Sequence, residues 1–569
     1  MIKKILLKFG PNGLAEKFEI DPGSVTIFVG PNNSGKSMVL KEIETYCQSG
    51  TKGNFKIIDD ISIDIPEENQ LRTKLEEMNV PFLTSEIQQP GHSKYGRFNS
   101  TRGFIIKTLN LTDFISWAKI PNYKQHFIQY YVSMFVSRFG GKERFQLVQN
   151  KDNGDLKTHP TNSLIGLLQS DSKRREVRAL IQEAFGKYFV IDPTSMRSLE
   201  VRLSDTPPPS DEVERGWGDQ SVQFHKAAKH INEFSDGVQA FTGLVMTVVA
   251  GEETIMLVDE PEAFLHPSLA NLLGNKLSTL MSNRSGNLFV ATHSPFFVMG
   301  CLQAGKKLNV IRLTYDEFAS PTARMLSPEK VIELFKNPLL RSTGVIQALF
   351  HSTVIVGESD ADRAFYNEIN ERLLAQQTPE GLPSALFLNA QNKQTVWDVL
   401  KPLRDMGIPT VGIVDIDFVK NGGSEFTKAL NSARVPTTLH ESLQGMRSKV
   451  KSAFEATCKD MKRDGGVAIL QGETRALADK LIGDLAEYGI FLVPGGELES
   501  WLKHLDCRGH GPGWLIQVFG KMGSDPSDAE YVRPEEGDVW DFIRKIAEWV
   551  KNPDRKGTGN ENASTDEME

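Results

Sequence analysis

The chain has 569 residues, a formal net charge of −8 and 24% charged side chains. That length exceeds one ordinary hydrophobic core, so two or three domains are expected. The mildly acidic balance suits a soluble protein and excludes a global basic footprint, so any nucleic-acid binding must be local.

In chain order, residues 1–9 and 14–20 flank Pro11, Asn12 and Gly13, a pattern that predicts a hairpin. The apolar part of the first nine residues is short and lacks a small-residue cleavage site, so a strand is expected rather than a signal peptide. No apolar run approaches the roughly 20 residues of a membrane span. Cys47, Cys301, Cys458 and Cys507 are far apart and form no C-x-x-C pair. They read as reduced thiols of a cytoplasmic protein, not as a disulfide framework or a zinc site.

The apolar run 25–29 leads into Gly30-Pro31-Asn32-Asn33-Ser34-Gly35-Lys36-Ser37, and Met38-Val39-Leu40 follows. The G-x-x-x-x-G-K-S spacing at a strand-to-helix turn is that of a phosphate-binding loop. Its backbone N–H groups wrap phosphates, its lysine reaches the β and γ phosphates, and its serine hydroxyl binds Mg²⁺.

Between about residues 50 and 230, helical and irregular stretches alternate, with an acidic, Pro-rich loop at 206–214 and no sustained heptads. Lys173, Arg174, Arg175 and Arg178 read as a solvated helical face, the alternative being phosphate contacts. From residue 254 the pattern sharpens. An apolar strand ends in Asp259 and Glu260, a helix follows over 267–281, and the strand 288–291 leads to His293. Strand alternating with helix predicts a parallel sheet with crossovers. In such a site Asp259 joins the Mg²⁺ shell, Glu260 polarises the attacking water, and His293 reaches the γ-phosphate.

After residues 337–351 a second strand-helix series begins, with strands at 354–356, 385–388, 410–414 and 490–493. Glu358 lies just past the first of these and Asp362 near the start of the next helix. Asp415 and Asp417 end the third strand at i and i+2, sharing a face while the chain stays extended. Glu497 and Glu499 follow the fourth. The carboxyl ends of parallel strands share one edge, where ligands bind in such folds, so the acids should converge. Carboxylates so close repel by on the order of a few kcal/mol per pair unless protons or cations neutralise them. All-oxygen ligation selects Mg²⁺ or Mn²⁺ over zinc, and two such ions about 4 Å apart suit phosphodiester cleavage. Lys393, after the second strand, is placed to approach a scissile phosphate. The polar stretch 552–569 lacks apolar periodicity and reads as a disordered tail.

The N-terminal motifs resemble the ATPase head of the ABC-type group that includes DNA-repair and chromosome-maintenance ATPases. The resemblance makes Glu260 the catalytic glutamate and His293 the switch histidine. It puts the signature motif at Phe234-Ser235-Asp236-Gly237, although Ser235-Asp236-Gly237-Val238 departs from the usual Ser-Gly-Gly-Gln. It also implies that Ser235 and Gly237 cap ATP bound by a second subunit, hence at least a dimer through the ATPase heads. The C-terminal glutamate followed by D-x-D resembles a Toprim domain. Its usual E-G-x-x-D becomes Glu358-Ser359-Asp360-Ala361-Asp362, with serine where the family has glycine.

An ABC-type ATPase followed by a Toprim domain resembles the OLD (overcoming lysogenization defect) nuclease family. The fold so implied is α/β: an ABC-type P-loop ATPase domain over 1–345 with a helical insertion at about 110–235, then a parallel-sheet Toprim domain over 350–550. The implied activity is ATP-regulated, Mg²⁺-dependent cleavage of DNA in anti-phage defence, beside a partner such as a retron reverse transcriptase with its DNA, or a helicase. The two-metal carboxylates fall on Glu358, Asp362, Asp415, Asp417, Glu497 and Glu499. A lysine after the last acids is expected, with Lys521 the candidate and Lys545 its rival. A nucleotide-switched scaffold whose acids bind metal without cleaving, and a nuclease acting on RNA, remain open alternatives.

Overall fold

Two central parallel sheets position the candidate residues, each within its own compact unit, Met1–Ile332 and Glu333–Glu569. The computed structural model describes residues 2–557 apart from 83–84, 142, 285, 305–307, 317–318, 339 and 341–343, and leaves the side chains of 316, 319, 320, 334 and 335 undescribed.

In the N-terminal unit the sheet is built from β1 (Val25–Val29), β2 (Val136–Phe139), β3 (Ile255–Asp259), β4 (Asn287–Ala291), β5 (Leu308–Asp316) and β6 (Ala319–Leu326), in the order β6-β5-β1-β4-β3-β2. All neighbours are parallel except the β5–β6 hairpin. β1 and β4 are buried at every position, which explains their continuous apolar runs: a parallel strand covered on both faces has no solvent side. α1 (Lys36–Ser49) leaves the end of β1, and its stop is a glycine, Gly50, whose φ of 71° lets its N–H return to the Tyr46 carbonyl. α2 (Asp236–Ala250) precedes β3, and α3 (Pro267–Ser282) makes the crossover from β3 to β4. The expected hairpin forms: Ile2–Leu7 pairs antiparallel with Phe18–Ile20 and with Ile58–Ile63.

The stretch 110–235 is more than a helical insertion. It carries helices such as Leu111–Lys119 and Asp171–Phe185, but also β2 of the central sheet and a four-stranded antiparallel sheet around Ser198–Ser204. Burial alternates along Ser198–Ser204, the period of a strand with one covered face. Nor is the basic run there wholly a solvated face: Arg175 is exposed, but two of its neighbours are engaged inward. Arg174 is wholly buried and pairs with Glu214 at 2.6 Å, Asp171 at 2.8 Å and Asp211 at 3.0 Å, while Arg178 pairs with the same Glu214 at 2.6 Å. Two arginines on one buried carboxylate tie the helix to the segment that follows Ser198–Ser204.

In the C-terminal unit β7 (Thr353–Gly357), β8 (Ala385–Asn389), β9 (Thr410–Asp415) and β10 (Ile490–Val493) form an all-parallel sheet in the order β8-β7-β9-β10. α4 (Asp360–Leu374) follows β7 and opens with a capping box in which the Ser359 hydroxyl accepts the Asp362 N–H and Asp362 accepts the Ser359 N–H. One side of the sheet is closed by an aromatic core that includes Phe365, Tyr366, Trp501, Trp514 and Trp540. The stretch 552–557 is ordered: buried Arg404 donates to the carbonyl of Gly557 at 3.0 Å as well as to those of Thr410, Ala433 and Tyr488. A buried guanidinium needs carbonyl acceptors, and the chain supplies one where composition suggested disorder. The tail reading from 558 onward lies outside the described residues. Among the described residues no helix is long and apolar enough to cross a membrane.

Candidate functional site

Chain geometry dictates the phosphate loop. A Cβ at Gly30, where φ is 143°, would stand 2.1 Å from the Leu313 carbonyl oxygen, and Gly35 starts α1 at φ 88°. Only glycine fits either place. Lys36 Nζ lies within the loop, donating to Gly30 O at 2.9 Å, Pro31 O at 2.5 Å and Ser34 Oγ at 3.1 Å. Burial pulls its ammonium down to about 8, against the raising effect of Glu260 and Asp259. Asn32 and Asn33 stand exposed at the crest of the loop.

Ser37 Oγ donates to Asp259 Oδ1 at 2.8 Å, so the loop hydroxyl and the acid ending β3 already face each other. The other oxygen of Asp259 takes Arg138 Nη2 at 3.2 Å. Glu260 adopts φ 49°, a left-handed conformation costly for a glutamate. Buried Arg144 holds this turn by donating to the carbonyls of Asp259 at 2.5 Å, Pro261 at 3.2 Å and Glu260. The next acid, Glu262, accepts the His293 N–H at 2.7 Å and is pushed up by burial, its second oxygen being buried without a partner. His293 is driven down to about 4 by burial and then by the nearby charge of Lys36, so its ring is neutral at pH 7. Ser235 stands at the N-cap position of α2 with no side-chain capping bond and is exposed, and a Cβ on Gly237 would press to 2.7 Å from the Phe264 carbonyl oxygen. Arg138 and Arg144 were not singled out from the sequence. Neither belongs to a motif, and β2 itself is short.

In the C-terminal unit Glu358, Asp415 and Asp417 offer oxygens that all lie within 4.8 Å of one another. Glu358 Oε1 accepts the Asp415 N–H at 2.9 Å, tying the end of β7 to the end of β9. Glu358 is pushed up to about 8 by burial and then by the charge of Asp415. Asp415 is pushed up to about 6 by burial, opposed by a lysine. That lysine is Lys462, with Nζ 2.6 Å from Asp415 Oδ2 and 3.6 Å from Glu497 Oε2. Lys393 meets Asp417 Oδ2 at 2.9 Å, and Asp417 Oδ1 is buried with no partner. Asp362 is buried and held by its capping box, its carboxyl raised first by burial, with Glu499 contributing.

Glu497 and Glu499 form a second group with His510, their ligand atoms again within 4.8 Å of one another. His510 Nδ1 stands 2.8 Å from Glu499, whose Oε1 also accepts the Gly511 N–H at 2.6 Å. The chain thus gathers Glu358, Asp415 and Asp417 closely, links Glu497 to them through Lys462, and puts Glu499 beside His510. Lys521 is elsewhere engaged: its exposed ammonium donates to the carbonyls of Leu505 and of Asp506, the latter at 2.8 Å. Lys545 is also exposed. Lys462 and His510 escaped the sequence reading because each sits in a polar stretch with no spacing that marks it.

The donor sets fit divalent cations. Ser37 with Asp259, and Glu358 with Asp415 and Asp417, present only oxygen, the chemistry of Mg²⁺ or Mn²⁺. The orphaned buried oxygen of Asp417 is a ligand atom without a partner.

Together the phosphate loop, the β3 acids and the sheet order define an α/β P-loop ATPase fold of the ABC type. A family model described as "AAA domain, putative AbiEii toxin, Type IV TA system" matches residues 131–299. The chain is 26% identical to the Old nuclease of Escherichia phage P2 over 282 residues, covering 45% of this chain and 46% of that protein. It is 28% identical to Protein ea59 of Escherichia phage lambda over 186 residues, 30% of this chain and 34% of that one. The matches thus span less than half the length of either relative. These comparisons bear out, at modest identity, the resemblance to the OLD family. Among solved structures, an Smc head bound to the C-terminal winged-helix domain of ScpA aligns over 58% of this chain and 99% of its own, at 12% identity and a TM-score of 0.33. The SMC head domain from Thermotoga maritima aligns over 57% and 99%, at 14% identity and a TM-score of 0.29.

Proposed function

We propose that the chain is an ATP-hydrolysing, Mg²⁺-dependent DNA endonuclease of the OLD type, acting in defence against phage, with an ATPase domain over 1–345 and a Toprim nuclease domain over 350–550. The observation that carries the nuclease reading is the meeting of Glu358, Asp415 and Asp417 from two neighbouring parallel strands. Acids so placed cost folding free energy unless protons, the ammonium groups of Lys462 and Lys393 or a metal cation offset their charge, and a metal cation answers all three at once. When bound there, Mg²⁺ supplies activation of a water and stabilisation of the leaving oxygen of a phosphodiester.

The chain's own groups divide the remaining work. Glu358, Asp415 and Asp417 hold the cation, with Asp362 fixing the turn beside Glu358 and Glu497 and Glu499 extending the acidic rim. In the N-terminal unit Lys36 and the loop N–H groups grip the phosphates of ATP, and Ser37 and Asp259 hold its Mg²⁺. Glu260 orients the attacking water from the turn that Arg144 stiffens, and neutral His293 offers a ring nitrogen to the γ-phosphate. Ser235 and Gly237, at the exposed start of α2, suit ATP held by a second copy of this chain, since a helix N-terminus favours phosphate.

The test is incubation of the full chain with plasmid DNA, and in parallel with RNA, in Mg²⁺ or Mn²⁺, with and without ATP. Nicks or breaks in DNA are expected, and they should vanish in Glu358→Ala and Asp415→Ala. Cutting that persists in both variants removes this site from the mechanism.

A further inference from the structure

Lys462 reaches the acids by a route built from the backbone. Its N–H donates to Asp460 Oδ1 at 2.8 Å. Its carbonyl lies so close to Gly496 that a Cβ there would come within 2.0 Å of it, and Gly496 adopts φ 124°. A few residues on, the Val467 N–H donates to the Pro494 carbonyl at 2.9 Å, and Gly466 is packed just as tightly against that oxygen. The segment carrying Lys462 is therefore fastened, main chain to main chain, to the loop that carries Glu497. From there the half-buried ammonium bridges Asp415 and Glu497, acids that follow two different strands.

Asp415 belongs to the group that offers oxygens to a divalent cation, and Glu497 to the neighbouring acidic group, so the ammonium occupies carboxylates for which a cation would compete. An ammonium and a cation sharing Asp415 would repel each other. A lysine, unlike an arginine, carries a compact charge on a flexible stem and can swing away while its backbone stays fixed. Beside it lies a cleft of about 400 Å³, lined by Lys462, Arg463, Lys503 and His510 together with Glu497 and Glu499. Three lysine or arginine side chains beside the acids make that cleft receptive to an anion once the acids are neutralised.

We propose that Lys462 is an internal counter-ion, holding Asp415 and Glu497 until a divalent cation displaces its ammonium, which then turns into the adjoining cleft to hold a phosphate of the nucleic acid. This rests on the reading of the acids as a cation site. Cation and substrate binding are then linked, because the same charge that yields to the metal is the one that grips the phosphate.

Mn²⁺ titration of the full chain, followed by the electron paramagnetic resonance of free Mn²⁺, tests the first half. Lys462→Met and Lys462→Gln, each first shown to melt at the wild-type temperature, should bind Mn²⁺ about tenfold more tightly, the size of one lost charge contact near a protein surface. Lys462→Arg, which keeps the charge, should stay close to wild type. Fluorescence anisotropy with a short DNA duplex in Ca²⁺ tests the second half. Both neutral variants should bind more weakly, with a salt slope shallower by about 0.9, one phosphate contact. Mn²⁺ affinity that is unchanged or lower in the neutral variants overturns the proposal, as does unchanged DNA affinity. A wild-type chain that takes up no Mn²⁺, or takes up as much after Glu358→Ala and Asp415→Ala, refutes instead the cation-site reading beneath it.

Discussion

β3 in the N-terminal unit and β9 in the C-terminal unit are the same device in different company. Each is a buried parallel strand ending in acids at the carboxyl edge of its sheet. At the end of β3, Asp259 meets a hydroxyl and a guanidinium, Ser37 and Arg138, while the neighbouring turn is held by Arg144. At the end of β9, Asp415 meets other carboxylates, and burial with mutual repulsion raises Glu358 to about 8. A single acid with a hydroxyl suits one cation shared with a nucleotide, whereas crowded acids demand positive charge of their own. The lesson is that the partners of an acid-tipped strand, more than the strand, decide its chemistry.

The contrast can be broken most forcefully in the crowded site. Glu358→Ala and Asp415→Ala should each lower plasmid cleavage by more than about a hundredfold, beyond the range usual for residues outside the metal's own ligands. ATP turnover, measured by phosphate release, should survive in both. Next comes the N-terminal unit: Glu260→Gln should cut ATP turnover by about a hundredfold, the scale of a lost general base, and Lys36→Ala should abolish it. Normal hydrolysis in the lysine variant would refute the phosphate-loop assignment. A smaller effect is expected of Ser235→Arg, which should weaken ATP-dependent dimerisation in light scattering while leaving nucleotide binding to the single chain intact. A strict monomer with full wild-type turnover contradicts that cross-subunit role. Least of all should Lys521→Ala change cleavage, since its ammonium is spent on carbonyls.

With its pKa lowered to about 4, the His293 ring gains a proton only below pH 5 and carries no charge between pH 6 and 8. The kcat/KM for ATP, which reports groups of the free enzyme, should therefore show no inflection near 6.5, the ordinary histidine value. An inflection there that disappears in His293→Ala would show that the ring is charged in the working site.

Where the sequence was legible, a strand had announced itself through burial. β1, β3, β7, β9 and β10 are apolar runs, because a parallel strand covered on both faces leaves no room for polar residues, and the acids that close them stand out by contrast. The glycines of the phosphate loop were legible for a related reason, since no other residue tolerates those dihedral angles. The cations that answer the acids were not. Lys462 lies in the polar run Lys459-Asp460-Met461-Lys462-Arg463, which looks like any solvated surface, and only the approach of Gly496 to its backbone brings it to Asp415. Arg174, read as part of an exposed face, proved to be the buried centre of an ion-pair network, because periodicity does not register a charge whose partners come from a distant segment. The motif makes Asp362 a candidate ligand, and the structure gives its carboxylate a capping role as well.

Diffraction from crystals grown with Mn²⁺, recorded at a wavelength where manganese scatters anomalously, tests the central claim most directly. The account predicts an anomalous peak among Glu358, Asp415 and Asp417, lost in Asp415→Ala. Crystals that show manganese beside Ser37 and Asp259 with nucleotide, but none among those three acids, would contradict it.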